Sequence, residues 1–259
     1  MKVAIGANLI RCPAVRYVGL RCNWDDYTPS EQTMLQKAQR IYFPTIFYAG
    51  ALHSAGKSIF PSMASYLHLG DKVRQLALFR FLDCPMPRTR LFMGPAPKRK
   101  RDILEQFDLP FIAKTPVGSG QGQGVFLIDS GKALTKYLST NRGVSYIQEY
   151  IPMDRDLRVV IIGSTVVHAY WKRSLGTNFR TNVAQGGQIS LNDIPEEALE
   201  LALKTARAAG IDYAGFDLCW SGSRWLILEA NINFGTEGFV AAGLSLETVL
   251  CDMIKRGTI

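Results

Sequence analysis

Two periods of apolar residues can be read along this chain. After Asp71, the positions Val73, Leu76, Ala77, Arg80 and Phe81 recur at helical spacing, and Asp71 itself is suited to cap a helix N-terminus. Cys84-Pro85-Met86-Pro87 ends that helix, because a residue before proline is pushed out of helical geometry. A second helix is predicted from about Pro195 to Ala209, with Glu196 and Glu197 in its first turn and Gly210 just past its end. Apolar runs of strand length lie near 88–93, 111–115, 124–128, 145–149, 157–162, 165–171, 215–220 and 225–231. Residues 1–70 read as a small α/β unit, with a strand near 3–7, a helix from about Ser30 to Arg40 and the run Ile41-Tyr42-Phe43. Pro44, Gly56, Pro61 and Gly70 punctuate this unit. Helices mixed with hairpins predict a mixed α/β (α+β) fold rather than a barrel, and no solenoid repeat is visible.

The polar residues that interrupt these runs carry the chemistry. Phe111-Ile112-Ala113-Lys114 precedes Gly118-Ser119-Gly120-Gln121-Gly122-Gln123-Gly124. This matches neither a Walker A loop nor GxGxxG; the order strand, loop, strand describes a hairpin lid. Glycines at alternate positions let backbone N–H groups approach phosphate oxygens, and Lys114 would aim a cation at the same place. An ordinary surface hairpin is the competing reading. Lys72 falls in the first turn of the predicted helix, where the dipole disfavours a cation unless an anion is bound. Glu229 and Asn231 are two apart on an apolar strand and so share a face. Asp217 lies on an equally apolar strand, joined to the first through Ser221-Gly222-Ser223-Arg224. A two-residue loop at 222–223 would set Asp217 opposite Leu228; a three-residue loop at 222–224, or an equivalent bulge, sets it opposite Glu229. The second geometry is expected, because oxygen ligands on one face suit magnesium. The alternative is a structural charge network with Arg158 or Lys172. Arg158, Lys172 and Arg173 sit at strand ends, where they could neutralise a triphosphate and a transferring phosphoryl group.

Composition narrows the classes. The chain has 259 residues, 47% of them hydrophobic, enough to bury one large core or two modest ones. It contains no run of eighteen apolar residues, so no membrane span is predicted, and the apolar start is too short for a signal peptide. Five scattered cysteines fit free thiols in a reducing cytoplasm, and the three histidines lack zinc spacing. A net charge of +8 suggests an anionic partner. Nucleic acid is disfavoured, since no RNP1, zinc-finger or bZIP pattern occurs and Lys98-Arg99-Lys100-Arg101 reads as a solvated loop. The aromatics Tyr17, Trp24, Tyr27, Phe43, Phe47 and Tyr48 read as core, with a homodimer face as the alternative.

From about Asp71 to Gly238 the chain resembles the ATP-grasp superfamily, in its RimK-like branch of carboxylate–amine ligases. The motifs stand in that family's order. They are Asp71-Lys72, Phe111 to Lys114 with the glycine loop, Gln148-Glu149-Tyr150-Ile151, Asp156-Leu157-Arg158 and Lys172-Arg173. Then follow Phe179-Arg180-Thr181-Asn182 before Gly186-Gly187, Gly215-Phe216-Asp217, and Glu229-Ala230-Asn231 with Gly235 and Gly238. The resemblance implies an ATP-grasp fold at 71–259, with a lid-bearing subdomain at 71–145 and a metal-binding one at 146–259, behind a short leading domain at 1–70. It implies that Lys72, Lys114 and the loop residues Gly118, Ser119, Gly120, Gln121 and Gly122 contact ATP phosphates. Gln148, Glu149, Tyr150 and Ile151 would form the adenine hinge. Arg158 and Arg173 would face the γ-phosphate and an acyl phosphate, with Lys172 beside them. Asn182 would lie near the phosphates, and Asp217, Glu229 and Asn231 would hold two magnesium ions, or manganese. After the metal-binding glutamate the family often carries Val-Asn-Ser-x-Pro-Gly; this chain has Ala230-Asn231-Ile232-Asn233-Phe234-Gly235 and lacks the proline.

The implied reaction joins a carboxylate to an amine through an acyl phosphate, with ADP released. Such chemistry needs positioning and charge neutralisation more than a nucleophilic side chain, which suits the inventory. The substrates stay open: the basic balance favours glutamate-like acids or acidic peptide tails, and fits ATP alone equally well. A non-catalytic ATP-binding module of the same fold is the alternative, and a nucleic-acid binder a third.

Overall fold

The computed structural model describes residues 1–118, 124–173 and 188–259. The predicted loop residues Ser119, Gly120, Gln121 and Gly122, and Asn182, lie outside the described residues. The chain opens with β1 (Lys2–Ala4), β2 (Arg16–Tyr17), α1 (Pro29–Lys37), β3 (Arg40–Tyr42), α2 (Ile46–Ser54), β4 (Ile59–Phe60) and α3 (Met63–Leu67). The strands form a parallel sheet in the order β2-β1-β3-β4. Thr28 caps α1 in a reciprocal box with Glu31. Of the six aromatics, Tyr27 and Phe43 are buried, Tyr17, Trp24 and Tyr48 pack against the core, and Phe47 is exposed.

Next come α4 (Lys72–Phe81), β5 (Thr89–Phe92), α5 (Ala96–Leu104), β6 (Phe111–Lys114), β7 (Val125–Ile128), α6 (Gly131–Thr140) and β8 (Ser145–Glu149). Asp71 caps α4 as expected, accepting from the N–H groups of Val73 and Arg74 at 3.0 and 2.9 Å. The strands form an antiparallel sheet, β5-β8-β6-β7. The Lys98–Arg101 run is not a solvated loop. It lies in α5, which starts at a proline-rich N-terminus. Arg99 is buried and donates to the carbonyls of Asn141 and Gly143, at 2.9 and 2.7 Å, and to the Ser145 hydroxyl at 2.7 Å. It thereby satisfies carbonyl groups beyond the C-terminus of α6, a demand that charge pattern alone does not reveal.

The last part holds β9 (Arg155–Ile162), β10 (Thr165–Arg173), β11 (Gln188–Ser190), α7 (Glu196–Ala209), β12 (Tyr213–Trp220), β13 (Trp225–Asn231), α8 (Glu237–Ala241) and α9 (Leu246–Lys255). Its sheet has the order β11-β10-β9-β12-β13, antiparallel throughout. Gly210 ends α7 in the left-handed conformation, at φ +66°. One face of this sheet packs Leu157, Val159, Ile161, Phe216 and Leu218 onto Ala198, Ala202 and Ala206 of α7. The other face carries Val160, Ile162, Tyr170 and Tyr213 into a core shared with Ala4, Tyr42, Phe43 and Phe60 of the first sheet and Leu250 and Ile254 of α9. Cys12 and Cys251 meet inside that core as a disulfide, Cα atoms 5.4 Å apart, which corrects the expectation of free thiols for this pair. They are 239 residues apart, so only the docking of the first unit on α9 brings them together. Cys22, Cys84 and Cys219 are free. Among the described residues no helix is long and apolar enough to cross a membrane.

Candidate functional site

A cleft of about 1030 Å³ runs between the two antiparallel sheets and ends against the first unit. Strand alternation builds its floor. On β9 the even positions Val160 and Ile162 are core, whereas Asp156 and Arg158, on the same face, open into the cleft. Register then assembles the charges. Arg158 pairs with Tyr170 on one side and Asp217 on the other, Asp156 pairs with Lys172, and Asp217 pairs with Glu229.

The hairpin reaches this register by the second of the two expected routes, a bulge. Ser221 N–H donates to the Arg224 carbonyl at 3.0 Å, so the turn is the tight two-residue one and not the three-residue loop. The ladder runs straight to Leu218 opposite Ile227; a bulge at Leu228 then moves Glu229, instead of Leu228, opposite Asp217. Strand β13 is an edge strand, and the buried Gln75 side chain of α4 partners it: its amide donates to the Ala230 carbonyl at 2.7 Å and accepts from the Ala230 N–H at 3.0 Å.

The buried charges form one network. Arg158 grips Asp217 in a fork, Nε to Oδ1 at 2.6 Å and Nη2 to Oδ2 at 3.1 Å. Lys172 Nζ lies 2.8 Å from both Asp156 Oδ2 and Asp217 Oδ1. Lys72 Nζ lies 3.6 Å from Glu229 Oε2. The Asn231 amide donates to Glu229 Oε1 at 2.7 Å and to Asp217 Oδ2 at 3.4 Å. Gly215 makes room for this packing: a Cβ there would fall 2.7 Å from Arg158 Cδ and 2.9 Å from Phe234 Cβ.

Burial works against the charge on Asp217, yet Arg158 and Lys172 outweigh it and hold its carboxyl far below the usual range. Burial likewise opposes ionised Glu229, and the Lys72 and Lys114 charges lower it overall. Lys172 is raised because Asp156 and Asp217 overcome its burial. Lys114 goes the other way: burial, reinforced by neighbouring Lys72, lowers its ammonium despite Glu229 and Asp217. Its Nζ lies 5.9 Å from the centre of the Tyr146 ring.

The structure brings together Lys72, Lys114, Gln148, Glu149, Tyr150, Ile151, Arg158, Lys172, Asp217, Glu229 and Asn231 around the cleft. Tyr150 and Ile151 follow β8 outside any strand, at the connection between the two sheets, and line the cleft. Gln148 is held by Thr89 at 2.9 Å, and Glu149 accepts the Arg88 N–H at 2.6 Å. Gly118 anchors the base of the glycine loop through its N–H to the Gly70 carbonyl, 3.1 Å, beside the start of α4. Arg173 does not join them. Alternation along β10 puts Lys172 in the cleft and Arg173 outside, exposed and paired with Asp154 at 2.8 Å. Asp156, named in the Asp156-Leu157-Arg158 motif, was given no role by sequence reasoning, although its place two residues before Arg158 on one strand face was the available signal.

The charge network weighed as an alternative is therefore present, and it involves the same carboxylates as the metal reading. Among the described residues no three acidic, histidine or cysteine side chains form a ready metal cage. Two carboxylates and an amide are what the site offers, which suits magnesium, an ion that commonly completes its shell with water and phosphate oxygens. Asn231 would first have to turn its amide oxygen inward.

Residues 69–254 match the family model for the RimK-like ATP-grasp domain. A probable alpha-L-glutamate ligase of Enterobacter sp. (strain 638) is 30% identical over 193 residues, covering 72% of this chain and 63% of that protein. A ribosomal protein bS6–L-glutamate ligase of Escherichia fergusonii is 32% identical over 174 residues, 65% of this chain and 57% of that protein. The chain thus matches less than two thirds of the length of these relatives. The crystal structure of a RimK domain ATP-grasp protein from Sphaerobacter thermophilus DSM 20745 superposes with a TM-score of 0.72 at 15% identity, over 97% of this chain and 98% of that one. D-alanine–D-alanine ligase from Bacillus anthracis, complexed with ATP, gives 0.70 at 16%, over 99% and 96%. At these identities the structures share the fold.

Proposed function

The chain belongs to the RimK-like ATP-grasp family, and from that premise we propose that it is an ATP-dependent carboxylate–amine ligase. The observation that carries this reading is the cleft floor, where cross-strand register sets the cations Arg158 and Lys172 against Asp217 beside Glu229 and Asn231. Lys72 and Lys114 add positive charge beside Glu229. In the proposed reaction a substrate carboxylate oxygen attacks the γ-phosphorus of ATP, the bond to the β–γ bridging oxygen breaks, and ADP leaves. The amine nitrogen then attacks the acyl carbon, the carbon–oxygen bond to phosphate breaks, and phosphate and a proton leave with the amide formed. Arg158 and Lys172 would steady the charge on the transferring group, and Lys114 the departing phosphates. Asp217, Glu229 and Asn231 would hold two magnesium ions, with manganese as a substitute. Bound there, the ions would neutralise phosphate oxygens. Arg173 we place outside the catalytic set.

The acceptor class we propose is a small molecule or peptide, with an amino acid such as glutamate as one partner. A cytoplasmic setting suits an ATP user, although the Cys12–Cys251 disulfide weighs against a reducing compartment. The test is magnesium-dependent ADP release against a panel of acids and amines. Glu229→Gln is expected to abolish release while circular dichroism and melting stay native-like. Full activity in that variant would remove the metal assignment. Tight Mg-ATP binding with no substrate-dependent release would favour the non-catalytic module.

A further inference from the structure

Strand β13 carries two of the three candidate metal ligands, Glu229 and Asn231, and it is the edge of its sheet. In an antiparallel ladder alternate residues turn their N–H and C=O groups to opposite sides, so along an edge every second residue has no strand to meet. Ala230, between the two ligands, is such a residue, and its groups meet a side chain instead. The Gln75 amide accepts from the Ala230 N–H at 3.0 Å and donates to the Ala230 carbonyl at 2.7 Å, both bonds buried. It also donates to the His68 carbonyl at 2.9 Å. Gln75, only 5% exposed, thus uses both of its N–H donors and its carbonyl oxygen.

The clamp falls where the strand is least supported. A bulge lies just before Glu229, and the strand ends at Asn231. Between these two irregularities Gln75 supplies what a neighbouring strand would. With Ala230 held at two points, the side chains before and after it alternate to the same face, and Glu229 and Asn231 both line the cleft. Helix α4 carries more than this clamp. One turn before Gln75, Lys72 faces Glu229 at 3.6 Å. The Lys72 N–H donates to the Pro116 carbonyl at 2.9 Å, and Asp71 pairs with Val117 in an isolated bridge. The base of the glycine loop therefore rests on the same end of the helix that Gln75 locks to β13.

We propose that Gln75 is a positioning residue of the magnesium site: standing in for a strand at Ala230, it aims Glu229 and Asn231 and ties them to the base of the glycine loop. Metal and triphosphate are thereby held in one frame. Gln75 acts through the backbone of Ala230 and not by contact with metal or nucleotide. The proposal rests on the cleft being an Mg-ATP site, which is the first premise of the ligase reading.

The test is calorimetric titration of the full chain with a non-hydrolysable ATP analogue, once with magnesium and once without. The ratio of the two affinities is the magnesium gain. Gln75→Met keeps the length of the side chain and leaves both Ala230 groups without their partner. It is expected to cut the magnesium gain by about tenfold or more, the usual loss when an outer partner of a metal ligand is removed. Affinity without magnesium should change by less than about twofold. Leu76→Ala, which removes a buried contact from the same helix, is the control for a merely structural role. It should lower the melting temperature and leave the magnesium gain unchanged. An unchanged gain in Gln75→Met, or an equal loss in both variants, would overturn the proposal. Should Gln75→Met not fold, amide exchange in the native chain decides. The Ala230 N–H is expected to exchange as slowly as the amides of β12, and exchange at the rate of an unpaired edge amide would overturn the proposal. Hydroxylamine, which converts an acyl phosphate to a hydroxamate and phosphate, tests the ligase reading separately. Absence of hydroxamate across a panel of carboxylic acids would overturn that reading, while the magnesium gain decides the role of Gln75 by itself. A native chain with no magnesium gain would overturn the metal assignment and the proposal with it.

Discussion

At the scale of single residues, the cleft is a balance of buried charges, and its predictions follow from what each charge faces. Asp217 is ionised only because Arg158 and Lys172 hold it. Arg158→Met would leave a buried carboxylate with one cationic partner where it had two, and unfolding free energy is expected to fall by about 3 kcal/mol, read by urea denaturation. An unchanged midpoint would mean that the fork contributes little. The sign with pH follows from the lowered carboxyl. Its stabilisation is present above the unfolded value near about 3.9 and is lost as pH falls through the lower folded value. Lys114 gives the opposite case. Burial depresses its ammonium, and bound triphosphate would restore the charge, so Mg-ATP binding should take up protons between the depressed value and its ordinary one near about 10.4. Calorimetry in buffers of different ionisation enthalpy reads this directly, and Lys114→Met should abolish the uptake. Proton-neutral binding in the native chain would contradict it. Four cations face three carboxylates on this floor, so magnesium alone should bind too weakly to measure until nucleotide supplies phosphate oxygens. The residue types were legible in the sequence. Arg173 was misplaced because side chains alternate along a strand, and a pair of adjacent cations cannot both enter one cleft.

At the scale of elements, register is what turns residues into a site. The sequence predicted Asp217 opposite Glu229, through either a longer turn or a bulge. The turn kept its tight form, and the bulge at Leu228 made the correction. Deleting Leu228 would straighten the ladder and still set Glu229 after Ile227, opposite Asp217. Mg-ATP affinity is therefore expected to survive the deletion, measured beside the melting temperature. Lost affinity with preserved melting would show that the bulge's local twist, not register, aims the glutamate. Helix signals were similarly readable where they were local, as with the Asp71 cap and Gly210. The basic run in α5 was misread because the role of Arg99 depends on carbonyls over forty residues further along the chain.

At the scale of the whole molecule, the first unit is bound into the rest by a shared core, with Tyr42, Phe43 and Phe60 packed against Val160, Ile162 and Tyr213. Removing residues 1–70 would bare that apolar face and the aromatic end of the cleft. The remainder is expected to aggregate or to lose its cooperative melting transition, and a stable, monomeric 71–259 fragment would show instead that this part folds alone. Sequence by itself determined the helices α4 and α7, most strands of the two antiparallel sheets and the class of fold, because caps, breakers, periodicity and motif order are written within short stretches of chain. Tertiary structure alone decided the rest. It paired Cys12 with Cys251 and buried Arg99 against the carbonyls beyond α6. Each of these depends on which distant surfaces meet once the sheets have docked, and such contacts leave no local signal in the order of residues.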